Sequence, residues 1–470
     1  MASRPERTDQ LVAALYAQDN ESVRHLLRDG ADPNARTPDG LPLLCTAVAG
    51  FDHQSAEALT QGGADPGATL PDGTTPLLRA VDLGSPALVS SLLRAETPPR
   101  FSETDRRRLL DLARHWCEAG AENELRRRTG AEGAATHRLI REEYADIEEV
   151  SLAGHTVRAG HIAILTDLEQ QFGIVTQTAE LVARAAPYHR PDGLHANWSA
   201  SQHTLGARRG PQDWSDLKAL RDHPDPVHRI LLADVVWSRA HRTHWFHHRD
   251  TRDDAAFLAE WVREEADGMV LARLLDVYGD DEYPDQEAIG LLYVDHPDPR
   301  VRRQVPGLFC RGAPSLYGRD FPPGDAVAAT LLALSRDPDP EVRCSTTAEL
   351  ASHFTAEFRR ALLALVQDPD PGVRRRAGVA LGSTKDRTAA VTGALVSLLD
   401  EDDQLLRLEI VYALARRDDH RTEEAWSRVG ELPVGFEEVE DHRIHAYWAY
   451  KGRHQPAAAL SSSADPALPH

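Results

Sequence analysis

The chain has 470 residues, 41% of them hydrophobic and 27% charged. That length exceeds what one hydrophobic core serves, and the composition excludes a wholly disordered or collagen-like polymer. With 53 Lys and Arg against 74 Asp and Glu, the net charge of −21 repels nucleic-acid phosphates and anionic lipid, and points instead to a protein partner presenting a basic patch.

Residues Met1 to Gln10 are polar and carry no apolar segment, so no secretory signal is expected, and no apolar run approaches the roughly 20 residues that cross a bilayer. Cys45, Cys117, Cys310 and Cys344 lack paired spacing, which argues against disulfides or a zinc cluster and for a cytoplasmic setting. Only Lys218, Lys385 and Lys451 among the 53 basic residues are lysine, a skew that resembles proteins of GC-rich bacterial genomes.

From the N-terminus, Thr8–Ala17 and Glu21–Arg28 are predicted helices, with Leu11, Leu15, Val23, Leu26 and Leu27 forming one apolar stripe. Gly30-Ala31-Asp32-Pro33 recurs as Gly63-Ala64-Asp65-Pro66, and Asp39-Gly40 recurs as Asp72-Gly73, both 33 residues apart. Asp72-Gly73-Thr74-Thr75-Pro76-Leu77 resembles the ankyrin repeat, although Leu78 and Cys45 stand where that family carries histidine, and Pro42 and Leu43 stand at the preceding Thr-Pro. The resemblance spans about residues 8–95. It implies a stack of about three helix pairs over residues 1–100, with partner contacts at the turn tips and inner helices: Arg36, Thr37, Thr69 and Leu70, with Phe51, His53, Leu83 and Ser85.

Residues 101–215 show no period. They are predicted as a helical connector, with helices at Glu103–Glu118 and His161–Phe172 and a flexible loop or hinge near Pro187–Gly210. Ile162–Ala185 has the outline of a helix-turn-helix, but Arg184 alone faces Asp167, Glu169 and Glu180, so packing rather than DNA reading is expected.

A second marker then appears: His223-Pro224-Asp225-Pro226, His296-Pro297-Asp298-Pro299, Asp337-Pro338-Asp339-Pro340 and Asp368-Pro369-Asp370-Pro371, with a degenerate copy at Asp400-Glu401-Asp402-Asp403. An eroded copy is expected within Phe257–Asp280. In each marker the second acid caps the coming helix, proline occupies its first turn, and the first proline ends the helix before. Asp368-Pro369-Asp370-Pro371-Gly372-Val373-Arg374 followed by Ala380-Leu381-Gly382 resembles the short bacterial HEAT repeat over residues 216–430. That resemblance implies a ladder of Asp339, Arg343, Asp370 and Arg374 between repeats. Residues 431–455, with Tyr447, Trp448 and Tyr450, are expected to cap the last repeat, and 456–470 to form a disordered tail.

The predicted architecture is therefore all-α: two helical solenoids, an ankyrin stack and a HEAT-like α-solenoid, joined by a helical middle segment. His241, His244, His247 and His248 are the densest imidazole cluster, but Arg239, Arg242, Arg249 and Arg252 surround them, which opposes a metal ion. Trp198, Trp214, Trp237, Trp245 and Trp261 are assigned to core. No Gly-x-x-x-x-Gly-Lys loop, no Gly-x-Ser-x-Gly elbow and no His-Glu pair of the HEAT-repeat di-iron hydroxylase type occurs. The expectation is a non-catalytic interaction scaffold with no cofactor and no metal. The alternative is a HEAT-repeat enzyme or enzyme subunit, resembling bilin lyases or an alkylated-base glycosylase, with its ligand in the concave groove.

Overall fold

The computed structural model describes residues 4–94, 101–244, 251–280, 283, 285–309, 323–353, 355–432 and 441–454. Helices dominate, with one small sheet. Contacts divide the chain into two units, Met1–Arg249 and Asp250–His470, so the expected boundaries at 100 and 215 both fall inside the first unit.

The first unit contains α1 (Arg4–Ala17), α2 (Asn20–Arg28), α3 (Leu43–Ala49), α4 (His53–Gln61), α5 (Pro76–Leu83), α6 (Pro86–Leu93), α7 (Glu103–Ala119) and α8 (Ala121–Thr129). After these come β1 (Thr136–Glu142), β2 (Ala145–Leu152) and β3 (His155–Arg158), then α9 (His161–Gln171), α10 (Thr178–Ala185), α11 (Ala196–Ala207), α12 (Pro211–Lys218) and α13 (Pro226–His244). Helices α1, α3, α5, α7, α9, α11 and α13 pack each on the next, and α2, α4 and α6 form a second row. The caps repeat with the period: Asp19, Asp52 and Ser85, at intervals of 33 residues, accept the amides of Ser22, Ser55 and Leu88 and start α2, α4 and α6. Leu11, Val23, Leu43, Leu59, Leu77, Leu88, Leu109 and Leu168 belong to one buried cluster running from the first pair into the middle segment.

Two expectations for that segment are corrected. Residues 136–158 are an antiparallel sheet of order β1-β2-β3, not helix. Its inward residues Val150, Leu152 and Val157 pack on Trp116 and Leu125, and Ile147 is fully buried. The 187–210 stretch contains α11, on which Trp198, Asn197 and Leu205 are buried. Its polar composition reads as a loop, but tertiary partners satisfy it: Trp198 Nε1 donates to Asp234 at 2.7 Å, Gln202 Nε2 donates to the Asp234 carbonyl at 3.1 Å, and the Ala163 amide donates to Asn197 Oδ1 at 3.0 Å.

The sheet is clamped to the helix pairs by two glycines. The Gly160 amide donates to the Gly84 carbonyl at 3.1 Å. Gly84 holds φ +71, and a Cβ there would lie 1.9 Å from the Arg158 carbonyl oxygen; a Cβ at Gly160 would lie 2.5 Å from Pro86 and 2.6 Å from the Gly84 oxygen. Beside this contact, buried Glu142 accepts from the Ser85 hydroxyl, from Arg158 and, at 3.2 Å, from the Ala87 amide.

The second unit contains α14 (Thr251–Glu264), α15 (Gly268–Gly279), α16 (Gln286–Leu292), α17 (Pro299–Arg302), α18 (Asp325–Leu334), α19 (Pro340–Ser352), α20 (Ala356–Leu365), α21 (Pro371–Ser383), α22 (Ala389–Ser397), α23 (Gln404–Arg417), α24 (Thr422–Ser427) and α25 (His442–His454). Here α15, α17, α19, α21, α23 and α25 pack in sequence as an inner row, with a continuous core from Val305 to Tyr447. The eroded corner is Glu265-Ala266-Asp267-Gly268: Asp267 caps α15, and its own amide donates to Glu265 at 2.9 Å. The degenerate corner lies one residue later than expected, because Asp403 caps α23 and Glu401 takes the first-acid place.

A ladder joins the repeats, but its acids are not the expected ones. Asp339 and Asp370 cap their own helices, accepting amides of Val342 and Val373. The rungs run from arginine to the first acid of the next corner. Arg302 grips Asp337 at 2.8 and 2.9 Å, Arg343 grips Asp368 at 2.8 and 2.7 Å, and Arg374 grips Glu401 at 2.7 and 2.9 Å. The remaining arm of each arginine donates to its own corner, as Arg343 Nη1 does to the Asp337 and Pro338 carbonyls at 2.9 and 3.1 Å. Burial works to raise the Asp368 pKa, but the Arg343 fork outweighs it and holds the carboxyl below its usual value.

One buried guanidinium follows a different rule. Arg417 is 7% exposed and meets no carboxylate at bonding distance among the described residues; it donates to the carbonyls of Leu381, Gly382, Thr384, Asp386 and Ala413 at 2.7 to 2.9 Å, closing the end of α21. Burial lowers its pKa to about 10, which leaves it charged at neutral pH.

Gly160→Ala is expected to destabilise the first unit by about 2 kcal/mol or more, because the added methyl meets backbone and ring atoms that cannot yield; urea unfolding followed through buried Trp116 measures it. Arg343→Met is expected to cost about 3 kcal/mol at pH 7, since it strands Asp368 in a largely buried corner. Because the folded pKa of Asp368 is depressed, the rung's contribution is present near neutrality and is lost as pH falls through the ordinary carboxylate range of about 4. The gap between wild type and variant in thermal unfolding is thus widest at pH 7 and closes in acid.

Candidate functional site

In the first unit the eight expected contact residues do not form one open surface. Arg36 and Thr69 are exposed at the turn tips, with Arg36 Nη1 donating to the Gly40 carbonyl at 2.7 Å. Thr37 and Leu70 are buried at 7% and 4%, their backbones closing the turns. Ser85 is fully buried and bonded to Glu142, and Phe51 lies under the Arg158 guanidinium at 4.3 Å. Leu83 is half-buried against the helical core, and His53 is half-buried at the start of α4. The sheet thus occupies two of the positions expected to meet a partner. No repeat in the sequence signals that contact, which joins residues 57 positions apart.

In the second unit the inner helices share a register. Counted from the capping acids Asp339, Asp370 and Asp403, the second, sixth, ninth and thirteenth residues of α19, α21 and α23 face away from the core. The ninth positions are Ala348, Val379 and Tyr412, an apolar row that grows in size along the unit. Val379 is 41% exposed, and Leu405, at the second position of α23, is 42% exposed. Cations flank the row: Arg376 is exposed on α21, and the Arg416 guanidinium lies 5.3 Å from the Tyr412 ring. At the end of the row α25 buries Tyr447 and Tyr450, with Tyr447 stacked on Trp426 at 4.1 Å, while Trp448 is 53% exposed. Periodicity alone placed the helices; the exposed row emerges only once the capping acid of each corner fixes the register.

The chemistry of reaction centres is sparse. Among the described residues no group of three or more His, Cys, Asp and Glu side chains is placed to hold a metal ion. The side chains of His241, His244, His247 and His248 lie outside the described residues, as do Trp245, Cys310 and the segment 456–470. Burial pushes the Cys117 thiol up to about 11 and raises Cys45 and Cys344, so these thiols are poor nucleophiles at neutral pH. Trp198 and Trp261 are buried, whereas Trp214 and Trp237 are half-buried, with Arg239 4.4 Å from the Trp214 ring. Two open clefts stand out. One of 310 Å³ lies between the second turn and α7, lined by Asp65, Thr75, Leu78, Phe101 and Arg108. One of 560 Å³ lies between α18 and α20, lined by Leu332, Arg336, Arg360, Ala361 and Leu365. No described helix is long and apolar enough to cross a membrane.

Comparison with known proteins bears on the second unit. Residues 327–422, from α18 into the start of α24, match the family model for HEAT repeats. No curated protein matches the chain. Among solved structures, the chain is similar to the X-ray structure of YibA of E. coli, at 14% identity and a TM-score of 0.43, covering 61% of this chain and 96% of that one. It is also similar to Kap121p bound to Pho4p, at 11% identity and a TM-score of 0.39, and to Kap121p bound to Nup53p, at 12% identity and a TM-score of 0.38; each covers 96% of this chain and 46% of Kap121p. The chain thus spans about half the length of Kap121p. The match to HEAT repeats thus lies at the centre of the second unit, within a chain built mainly of helices.

Proposed function

We propose that this chain is a non-catalytic scaffold that holds a partner protein along the inner row of its second unit. The observation that carries the reading is the register of Ala348, Val379 and Tyr412. Three successive repeats present an apolar side chain at the same outward position, with Arg376 and Arg416 alongside. Aromatic and arginine side chains of this kind concentrate binding energy in protein interfaces.

The helix pairs of the first unit are read as ankyrin-type repeats. The 33-residue recurrence of left-handed Gly30 and Gly63, and of Gly40 and Gly73, supports this. So does Asn34, whose amide donates to the Gly63 carbonyl at 2.9 Å and links one turn to the next. The exposed tips Arg36 and Thr69, with His53, remain the contact positions of this unit. The net charge of −21 favours a partner whose rim is basic and whose capture weakens with salt. Dispersed cysteines and scarce lysine support the bacterial cytoplasm as its setting.

Val379 is exposed and Tyr412 half-buried, its ring edge-on to His442 at 5.0 Å but outside the buried core, so Val379→Glu with Tyr412→Glu is expected to leave the melting temperature within a few degrees of wild type. The same pair is expected to reduce co-purification of the partner from the native host at low salt by roughly tenfold or more, as judged by quantitative mass spectrometry. Undiminished capture by the folded double variant would remove the inner row from the binding surface.

A further inference from the structure

The corners of the second marker act as internal controls for one another, because equivalent positions occupy equivalent places. The residue just before the first corner position is Asp222, Glu264, Asp295, Arg336, Gln367 and Asp400 in turn. Four are acids, one is neutral, and one carries the opposite charge. Eight residues before the corner, the sequence places Ser215, Phe257, Ala288, Ala329, Arg360 and Gly393, so a long cation appears once there as well. These two exceptions belong to adjacent repeats and converge on one place: Arg336, at the end of α18, and Arg360, on α20, both line the 560 Å³ cleft.

The cleft differs from its acidic surroundings in what its cations do. Across the chain most arginines described grip a carboxylate, as the rungs show. Arg336 makes one bond, from Nη1 to the Leu332 carbonyl at 3.2 Å, and has no carboxylate partner among the described residues. Arg360 approaches Glu357 only to 3.9 Å, and its side chain is 76% exposed. The third arginine of the cleft, Arg343, is already committed to Asp368 at the corner end. The apolar lining is Leu332, Ala361, Ala364 and Leu365, and the two acids of the cleft, Glu357 and Asp368, lie with Arg360 and Arg343 respectively. Ala361 and Ala364 are short enough to leave room between the helices. An apolar floor between Arg336, which has no carboxylate partner among the described residues, and Arg360, held only by a long, exposed pair to Glu357, is complementary to a carboxylate carried next to an aliphatic group.

We infer that the α18–α20 cleft is a docking site for an acidic segment of a partner protein, seating a Glu or Asp side chain between Arg336 and Arg360 and a neighbouring aliphatic side chain on Leu332, Ala361 and Leu365. The inference extends the scaffold reading to a second surface, on the outer helices rather than the inner row. It also assigns that surface a local preference opposite to the one the net charge sets for the molecule as a whole. A partner that carries both signs engages both surfaces.

The test uses the full chain and a fluorescein-labelled peptide of alternating leucine and glutamate, read by fluorescence anisotropy at low salt, beside peptides with glutamine or lysine in place of glutamate. Wild type is expected to bind the glutamate peptide about tenfold tighter than the glutamine one. Arg336→Glu with Arg360→Glu is expected to invert the order in favour of lysine, and the milder Arg336→Gln with Arg360→Gln to abolish the preference. A preference for glutamate that survives both pairs overturns the site, as does equal or absent binding of all three peptides by wild type. Val379→Glu with Tyr412→Glu is expected to leave peptide binding unchanged; its loss in that variant would move the peptide to the inner row. If decanoate bound with the same arginine dependence and displaced the peptide, the cleft would belong to free aliphatic acids and not to a protein segment. Loss of partner capture in the inner-row variant, with no glutamate preference in wild type, marks failure of this site alone; undiminished capture with the preference intact marks failure of the scaffold reading alone.

Discussion

The second unit depends on one device, an arginine that closes two corners at once. A corner between helices leaves carbonyls without partners, and an acid placed there to cap the next amide becomes a partly buried charge. Arginine answers both needs because its donors lie in a fixed plane: Arg343 gives one arm to the carbonyls of Asp337 and Pro338 and a two-toothed fork to Asp368. Lysine, with a single ammonium, reaches one of these sets but not both. The use of arginine at Arg302, Arg343 and Arg374 follows from geometry, whatever the codon supply of the genome.

The same device explains where the marker changes. The arginine place of the eroded repeat is held by Leu271, and the first position of the next corner is His296 rather than an acid. His296 Nδ1 accepts the Asp298 amide at 3.1 Å, the service that Asp337 and Asp368 provide at their corners through a carboxylate oxygen. An imidazole nitrogen thus supplies the acceptor where no arginine fork from the preceding repeat reaches the corner. Acid and arginine come and go together between neighbouring repeats, as expected when an unpaired charge costs more than a pair contributes.

Much of this was readable from residue order. Proline, aspartate and glycine at fixed intervals mark the helix starts and stops directly; α2, the end of α1 and the corners at 339 and 370 fall where those signals put them, while α1 begins at Arg4, four residues before the expected start. The rung acids were misassigned because the repeat presents two acids per corner, and only coordinates tell the one that caps from the one that bridges. The sheet went unseen because its first turn uses Glu143 and Tyr144, with Glu143 at φ +55, in place of the Asn or Gly that announces a hairpin. α11 was hidden for a different reason: its helicity rests on Asp234 and on the close approach of Gly206 to Ser238, partners more than 30 residues away. The cleft between α18 and α20 was present in the sequence as two charge exceptions, but they carry meaning only when corners are aligned on the residue that bonds across them.

The sheet also has a mechanical consequence. A row in which every helix meets only the helices beside it bends at each joint and peels from its ends. The strands β2 and β3 touch α5 and α11, which are not adjacent in the row of the first unit, and also α8, which lies outside that row. They serve as a gusset plate across several joints. Pulled from its termini, the first unit should hold and then give way in one event, while the second, whose inner helices each pack on the next with no sheet described across them, should yield stepwise like an unzipped fastener.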